Sequence, residues 1–264
     1  MTLSMTTVRR PRSLCLTLAA AVALVIGACG TKDAPGPLEP TSGQGRIRFV
    51  NLITDPTRNP VNAILDDKQF GVNLGYTATT PASLPAPSTA NFAPIYEGAR
   101  TLVLKKTADT SVVVATLPIM VTAGTDYTLY ATGGTGGATV TSVIVGDNNP
   151  AITTGQAKFK VMNMSPTAGA VDVFITAANA DLTTATPVAA NLGNFVPFEG
   201  EGALFVPGTY SVRTVPAGTL PADRPAAVNS TLSVTVAAGN GRTIVIADAA
   251  AGGTPLRSFA LTDQ

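Results

Sequence analysis

A duplication inside the chain limits its possible folds more than any other feature of the sequence. The stretch GQGRIRFVN at residues 43–51 returns as GQAKFKVMN at residues 155–163, with charged and apolar residues at matching positions. Further matches follow at separations between 110 and 118 residues, as expected when loop lengths differ between two copies. Copies of about 110 residues have the size of domains and are too long for solenoid repeats. We therefore predict two similar domains in tandem.

Each copy carries the pattern of short β-strands. Charged and apolar residues alternate in 46–49 and again in 158–161, which predicts one face in solvent and one in a core. Such runs, separated by turn residues, predict an all-β chain with two antiparallel β-sandwiches of the immunoglobulin-like or transthyretin-like type. The predicted strands are 46–49, 61–65, 69–74, 101–104, 111–116, 126–132 and 138–145, then 158–162, 171–175, 203–206, 210–215, 230–236, 243–247 and 256–261.

The N-terminus has the pattern of an export signal. A basic segment with three arginines precedes an apolar run at residues 14–28, and small residues come before Cys29. The run is shorter than the about 20 apolar residues that a transmembrane helix needs. The sequence IGAC at residues 26–29 resembles the bacterial lipobox, which implies cleavage after Ala28 and acylation of Cys29 with chains such as palmitate.

These observations predict a modular layout. The segment 30–44 is rich in Gly, Pro and polar residues and predicts a flexible tether. The predicted parts are a lipoprotein signal peptide at 1–28, an acylated cysteine with its tether at 29–44, a first sandwich at 45–147, a linker at 148–156 and a second sandwich at 157–264. Because the linker is short and polar, we expect the two sandwiches to fold separately.

Charge and residue usage exclude several classes of function. Loss of the three N-terminal arginines from 17 basic residues leaves 14 against 16 acidic ones, so dense positive charge for nucleic acid is lacking. The chain has no histidine, and its two cysteines lie in the signal and at the lipidation position. An imidazole base, a thiolate nucleophile and a zinc site with nitrogen or sulfur ligands are therefore excluded. We expect no cofactor, no metal site and no catalytic residue.

Carboxylate chemistry stays open as an alternative. Glu199 and Glu201 are spaced so that they could flank a sugar, since a glycosidase needs two carboxyl groups about 5 to 9.5 Å apart. The surrounding Gly residues favour a solvated loop instead. Asp66 and Asp67 lie between two apolar runs and predict a hairpin turn.

Other polar segments have a binding and a structural interpretation. Asp147-Asn148-Asn149 offers oxygen ligands for calcium but lacks the glycine and distal glutamate of a calcium loop, so a linker is favoured. The Gly133–Gly137 run joins two strand-like segments and predicts a hairpin loop rather than a phosphate cradle. Two Pro-containing loops, 77–94 and 215–229, are the candidate ligand surfaces.

Several sequence segments resemble those of a known bacterial family, the DUF4397 domain. They are RIRFVNL at 46–52, VNAILD at 61–66, NLGY at 73–76, VTAGTDYTLYATG at 121–133 and GTYSVR at 208–213. The resemblance covers both copies, from about Gly45 to Asp147 and from Ala157 to Asp263. It implies a β-sandwich in exported, often lipidated proteins and implies no agreed activity. The second copy departs from it at Arg242, which stands where the first copy has Tyr127.

The sequence thus favours a lipid-anchored envelope protein that is not an enzyme. We expect a binding or scaffolding module on the outer side of the cytoplasmic membrane, with the membrane as one partner through Cys29 and an envelope protein or glycan as another. Gly30 after the cysteine resembles the sorting context of outer-membrane lipoproteins, so the periplasmic or surface face of the outer membrane is expected. A carboxylate-based glycan hydrolase and a structural spacer of the envelope are the alternatives.

Overall fold

The computed structural model describes residues 43–82, 92–147, 149–197 and 202–264. These residues form strands, turns and two short 3-10 turns at Thr135–Gly137 and Pro221–Asp223, so the predicted all-β fold is confirmed. The first half contains β1 Gln44–Ile53, β2 Val61–Leu65, β3 Lys68–Leu74, β4 Thr79–Thr80, β5 Ala93–Tyr96, β6 Gly98–Lys106, β7 Asp109–Val121, β8 Asp126–Gly133 and β9 Val140–Asp147. The second half contains β10 Ala157–Asn163, β11 Val171–Thr176, β12 Ala189–Leu192, β13 Ala203–Phe205, β14 Gly208–Pro216, β15 Ser230–Val236, β16 Gly241–Ala247 and β17 Arg257–Thr262.

Each half is a sandwich of two sheets with the same strand order. In the first half, an inner sheet has the order β4-β1-β8-β9 with β5 beside β1, and an outer sheet has the order β3-β2-β6-β7. In the second half, the inner sheet is β13-β10-β16-β17 and the outer sheet is β12-β11-β14-β15. The counterpart of β13 is β5, because each pairs with the beginning of the first strand of its half, whereas β4 corresponds to the isolated bridge between Met162 and Pro197.

One strand pair in each inner sheet is parallel, which the predicted antiparallel sandwich did not include. β1 runs parallel to β8 with Phe49 opposite Leu129, and β10 runs parallel to β16 with Val161 opposite Ile244. The remaining pairs within the described sheets are antiparallel. Parallel strands are usually buried on both faces, and these four strands follow that rule.

Each sandwich has its own core. Alternate residues of the inner strands point toward the outer sheet, where Phe49 and Leu129 pack against Leu104 in the first half. In the second half, Phe159 forms edge-to-face contacts with Phe205 and Tyr210 at ring distances of 5.2 and 5.7 Å. Both cores consist mainly of aliphatic side chains, whose burial supplies most of the stabilisation.

A third apolar core lies between the two inner sheets. On the inner strands, the residues of this core alternate with those that face the outer sheet of the same half. Its buried members are Val50, Leu52, Tyr130, Met162, Met164, Val245, Ala247 and Leu261. The molecule from Ser42 to Gln264 is therefore one compact unit with four sheets in layers. The predicted solvent face of 46–49 and 158–161 is wrong for Arg48 and Lys158, which are 2% and 3% exposed because this face packs against the other half.

The turns agree with the turn residues of the sequence. Asp66 and Asp67 join β2 to β3 with positive φ angles of 46° and 62°, and the Gly133–Gly137 run begins at the last residue of β8 and continues into the β8–β9 connection. Both hairpins were predicted. Among the described residues, no helix is long and apolar enough to cross a lipid bilayer, and the predicted signal segment lies outside those residues.

Candidate functional site

A cavity of about 380 Å³ opens between the two inner sheets, beside the third core. Its rim is formed by exposed residues of both halves, Gly146, Val196 and Pro197. Half-buried side chains form the wall and buried ones the floor. The wall has Val145, Asp147, Pro150 and Lys160, and the floor has Arg48, Phe92, Thr128, Tyr130, Val161, Met162, Thr243 and Asp263.

Arg48 is held on the floor by partners from both halves. Its position on β1 turns the side chain to the face that meets the second half. Nε donates to Thr128 Oγ1 at 2.8 Å, Nη1 to the Thr262 carbonyl at 2.8 Å, and Nη2 to Asp263 Oδ1 at 2.7 Å. The guanidinium carbon also lies 4.3 Å from the ring centre of Phe92, a cation–π contact. These contacts compensate for the removal of the charge from water.

Lys160 is the counterpart of Arg48 in the second half. Its position on β10 matches that of Arg48 on β1, and its Nζ donates to the Asp147 carboxylate and to Asn149 Oδ1. Asp263 Oδ2 lies 3.8 Å from the same Nζ. The side chain is 14% exposed, so Lys160 is less completely buried than Arg48.

The two ion pairs are related by the duplication. Each half supplies a cation from its first strand and an aspartate from the end of its last hairpin, and each cation binds the aspartate of the other half. Thr128 and Thr243 also occupy matching positions, with Thr243 Oγ1 donating to Asp263 Oδ2 at 2.7 Å. The halves therefore meet through equivalent faces, as two subunits do around a two-fold axis.

A third ion pair extends the network toward the connector. Arg46 donates two hydrogen bonds to the Asp126 carboxylate, both at 2.6 Å, and Asn149 Nδ2 donates to the same carboxylate. The Asn149 amide N–H donates to Asp147 Oδ1 at 2.7 Å. Asn149 thus links the pair within the first half to the pair that crosses the interface.

Most of the apolar residues that line the cavity lie on strands of the two inner sheets. Tyr130 is almost completely buried, and burial raises the pKa of its phenol well above the ordinary value. Its ring packs in the third core with Met162 and Val145. Val196 stays 47% exposed at the rim, so a ligand can reach it from the solvent.

The acidic side chains of the cavity are already engaged. Asp147 and Asp263 each bind a cation, and Asp263 also accepts a hydrogen bond from Thr243. In the described part of the chain, no three His, Cys, Asp or Glu side chains group as metal ligands do. The arrangement is suited to holding a ligand.

The acidic segments singled out in the sequence have structural roles where they are described. Asp66 Oδ1 accepts the amide N–H of Thr101 at 2.9 Å, which fixes the β2–β3 turn against β6. Asp147 and Asn149 face Lys160 rather than an open calcium position, whereas Asn148 lies outside the described residues. Glu199, Glu201 and the lipidation candidate Cys29 also lie outside them.

Of the two candidate ligand-binding loops, one contributes a described residue to the cavity and the other does not. Of the 77–94 loop, residues 83–91 are outside the described ranges, and Phe92 contacts Arg48 in the cavity. The 215–229 loop covers the outer sheet of the second half, with Arg224 lying 5.1 Å from the Phe174 ring centre and donating to the Ala185 carbonyl at 3.0 Å. That loop packs on its own sandwich and does not line the cavity.

Sequence reasoning missed the residues that form the cavity. Arg48 and Lys160 were interpreted as solvent-facing, and Asp263 was not considered as a site residue, although it is the repeat partner of Asp147 in the duplicated sequence. That pairing was the available signal, because a cation and an aspartate at matching places in both copies allow reciprocal ion pairs. Tyr127 and Arg242, which stand at matching positions of the two copies, also make different hydrogen bonds. The Tyr127 hydroxyl accepts the Thr122 amide N–H at 3.1 Å, and the Arg242 guanidinium donates to Thr262.

Comparisons with known proteins give a family match and two weak structural similarities. A structure on alpha-glucan recognition by family 41 carbohydrate-binding modules from streptococcal virulence factors has 10% identity and a TM-score of 0.24, covering 78% of this chain and 94% of that one. A leucine-rich repeat protein from Bacteroides thetaiotaomicron VPI-5482 has 11% identity and a TM-score of 0.16, covering 84% of this chain and 25% of that one. No curated protein matches the sequence. Residues 45–174 match the family described as "Domain of unknown function (DUF4397)", so the first half and the beginning of the second resemble that family.

Proposed function

We propose that this chain is a lipid-anchored protein of the bacterial cell envelope that binds a ligand without catalysis. In this proposal the chain consists of two tandem DUF4397-like domains, and acylated Cys29 attaches them to the outer membrane through the tether at residues 30–44. The DUF4397 match over residues 45–174 and the equal strand order of the two halves support the tandem arrangement. The basic and apolar N-terminal pattern supports export.

The observation that carries the binding role is the cavity between the inner sheets. It is concave, it is lined by both halves, and its charged groups pair with one another. Apolar pockets with a few fixed polar groups are typical of small-molecule sites. A scaffolding role in the envelope needs only the outer surfaces and does not require such a cavity.

Two experiments test the proposal. Cys29→Ser should release the protein from membranes, because buried acyl chains contribute about 0.8 kcal/mol per CH₂ and the tether has no comparable apolar length. Sedimentation of the serine variant with membranes after a salt wash would contradict the anchor. An exclusive inner-membrane location of the wild type would contradict the sorting.

The second experiment examines binding. Wild type, Val196→Trp and the control Val206→Trp are purified from the native envelope, and bound small molecules are identified by mass spectrometry. Val206 is 71% exposed and lies away from the cavity. We expect a compound that is retained by wild type and by the control and lost from Val196→Trp. Turnover of a polysaccharide that disappears in Glu199→Gln/Glu201→Gln would instead favour the glycan hydrolase.

A further inference from the structure

Among the described residues that line the cavity, the formal charges cancel. Arg48 and Lys160 contribute two positive charges, and Asp147 and Asp263 contribute two negative ones. Each cation contacts an aspartate of the opposite half, at 2.7 Å for Arg48 and Asp263. A ligand therefore meets no excess of either sign among these described groups.

The charged groups are also engaged in hydrogen bonds. Arg48 donates to three oxygens, Lys160 donates to two side chains, and Asp263 accepts from Arg48 and Thr243. A charged ligand would lose its hydration on entering and would have to compete with these partners. An uncharged ligand does not meet that obstacle.

The accessible surface of the cavity contains both apolar and charged side chains. Val196 and Pro197 give an apolar rim, and Val145 continues it inward toward the Tyr130 ring. Asp147 follows Val145 on the same face of β9, and the Asp147 and Lys160 side chains remain 28% and 14% exposed, so they can still share hydrogen bonds with a ligand. A bound molecule would therefore contact both hydrocarbon and polar groups.

We propose that the cavity binds an uncharged amphipathic small molecule. Its apolar part lies against Val145, Val196 and Pro197, and its hydroxyl or amide groups face Asp147 and Lys160. This inference rests on the proposed binding function and names the chemical class of the ligand. Selectivity against charged molecules comes from the balance of the ion pairs, since an unmatched charge in a partly buried site is costly.

Three probes with the same eight-carbon chain and different head groups test the charge preference. Neutral octyl glucoside, anionic octyl sulfate and cationic octyltrimethylammonium are titrated into the full chain below their micelle concentrations, and heat is measured. We expect octyl glucoside to bind at least about tenfold more tightly than either charged probe, a difference of about 1.4 kcal/mol. Equal or tighter binding of a charged probe, or no binding of octyl glucoside, would overturn the proposal.

Two pairs of variants locate the binding and its cause. Val196→Trp should abolish octyl glucoside binding by filling the rim, and the exposed control Val206→Trp should leave it unchanged. Asp147→Asn leaves the cavity with one excess positive charge, so octyl sulfate should gain about tenfold in affinity. Asp109→Asn removes an exposed carboxylate outside the cavity and should give no gain. Unchanged probe affinities in Val196→Trp and in Asp147→Asn would each contradict the inference.

The outcomes separate this inference from the proposed function. A native ligand that is retained by wild type, is lost from Val196→Trp and carries a net charge would uphold the binding role and overturn the uncharged class. Absence of any Val196-dependent ligand from the native envelope, together with octyl glucoside binding, would overturn the proposed binding of an envelope ligand and leave the chemistry of the cavity supported.

Discussion

Arg48 and Asp263 are 215 residues apart in sequence, yet their side chains meet at 2.7 Å with only 2% and 1% of their surfaces exposed. The contact joins the first strand of one half to the residue that follows the last strand of the other. Because both charges have left water, each depends on the other for its solvation. This pair therefore connects the stability of the two halves.

Removal of one member of this pair should destabilise the protein strongly. We expect Arg48→Met to lower the free energy of unfolding by about 3–5 kcal/mol, because Asp263 then loses its closest cation while it stays buried. The double variant Arg48→Met/Asp263→Leu should lose less than the sum of the single variants. Urea unfolding of the three variants measures the coupling.

The exposed pair Arg100 and Asp66 provides the matched control. Its atoms are 3.4 Å apart, and the side chains are 26% and 39% exposed. Such surface pairs contribute about 0–1 kcal/mol, so Arg100→Met should have a small effect. Equal losses in Arg48→Met and Arg100→Met would contradict the role given to the buried pair.

Most strands could be predicted because local sequence determines them. Period-two alternation and turn residues placed β2 at 61–65 and β15 at 230–236 with the bounds that the structure has. The missed strands β4, β5 and β12 have only two to four residues, so they show little of the alternation that identifies longer strands. They exist because neighbouring strands offer unpaired hydrogen-bonding groups.

The shared core and the cavity depend on contacts that no local pattern contains. The nearly continuous apolar run at 49–53 was compatible with a strand buried on both faces, but alternation at 46–49 was interpreted as a solvent face. Burial of Arg48 depends on Asp263, and that partner is identified only when the two copies are aligned. The position of Tyr130 between the halves likewise follows from how the sheets pack.

The third core bears on whether the halves can exist alone. Residues 43–147 and 149–264 each keep their own sandwich core, and separation exposes Leu52 and Tyr130 on one side and Met164 on the other. Fully burying such side chains contributes about 1.5–3 kcal/mol each. We expect each isolated half to fold with a lower melting temperature than the full chain.

The isolated first half should also associate with a second copy of itself. Its exposed face carries both Arg48 and Asp147, so two copies can form the reciprocal ion pairs that the two halves form in the full chain. Analytical ultracentrifugation should find a dimer of residues 43–147 and a monomer after Leu52→Glu, which places a charge on the apolar face. A monomeric half that melts as high as the full chain would show that the shared core adds no stability.

Alkaline pH should weaken the contact between the halves. Tyr76 of the first half donates its hydroxyl proton to the Asp248 carbonyl of the second, and burial raises the pKa of Tyr76 from 10 to about 12. A folded pKa above the unfolded one means that the folded state holds the proton more tightly. The contribution of Tyr76 to stability is therefore constant below pH 10 and falls as the pH rises from 10 to about 12.

Removal of the Tyr76 hydroxyl should reduce this pH dependence. Denaturant unfolding at a series of alkaline pH values should give a shallower decline for Tyr76→Phe than for wild type, together with a loss of about 1 kcal/mol at neutral pH from the missing hydrogen bond. Tyr96→Phe removes a tyrosine that is 38% exposed and serves as the control. If Tyr76→Phe and Tyr96→Phe change the decline equally, the alkaline transition does not arise at the interface between the halves.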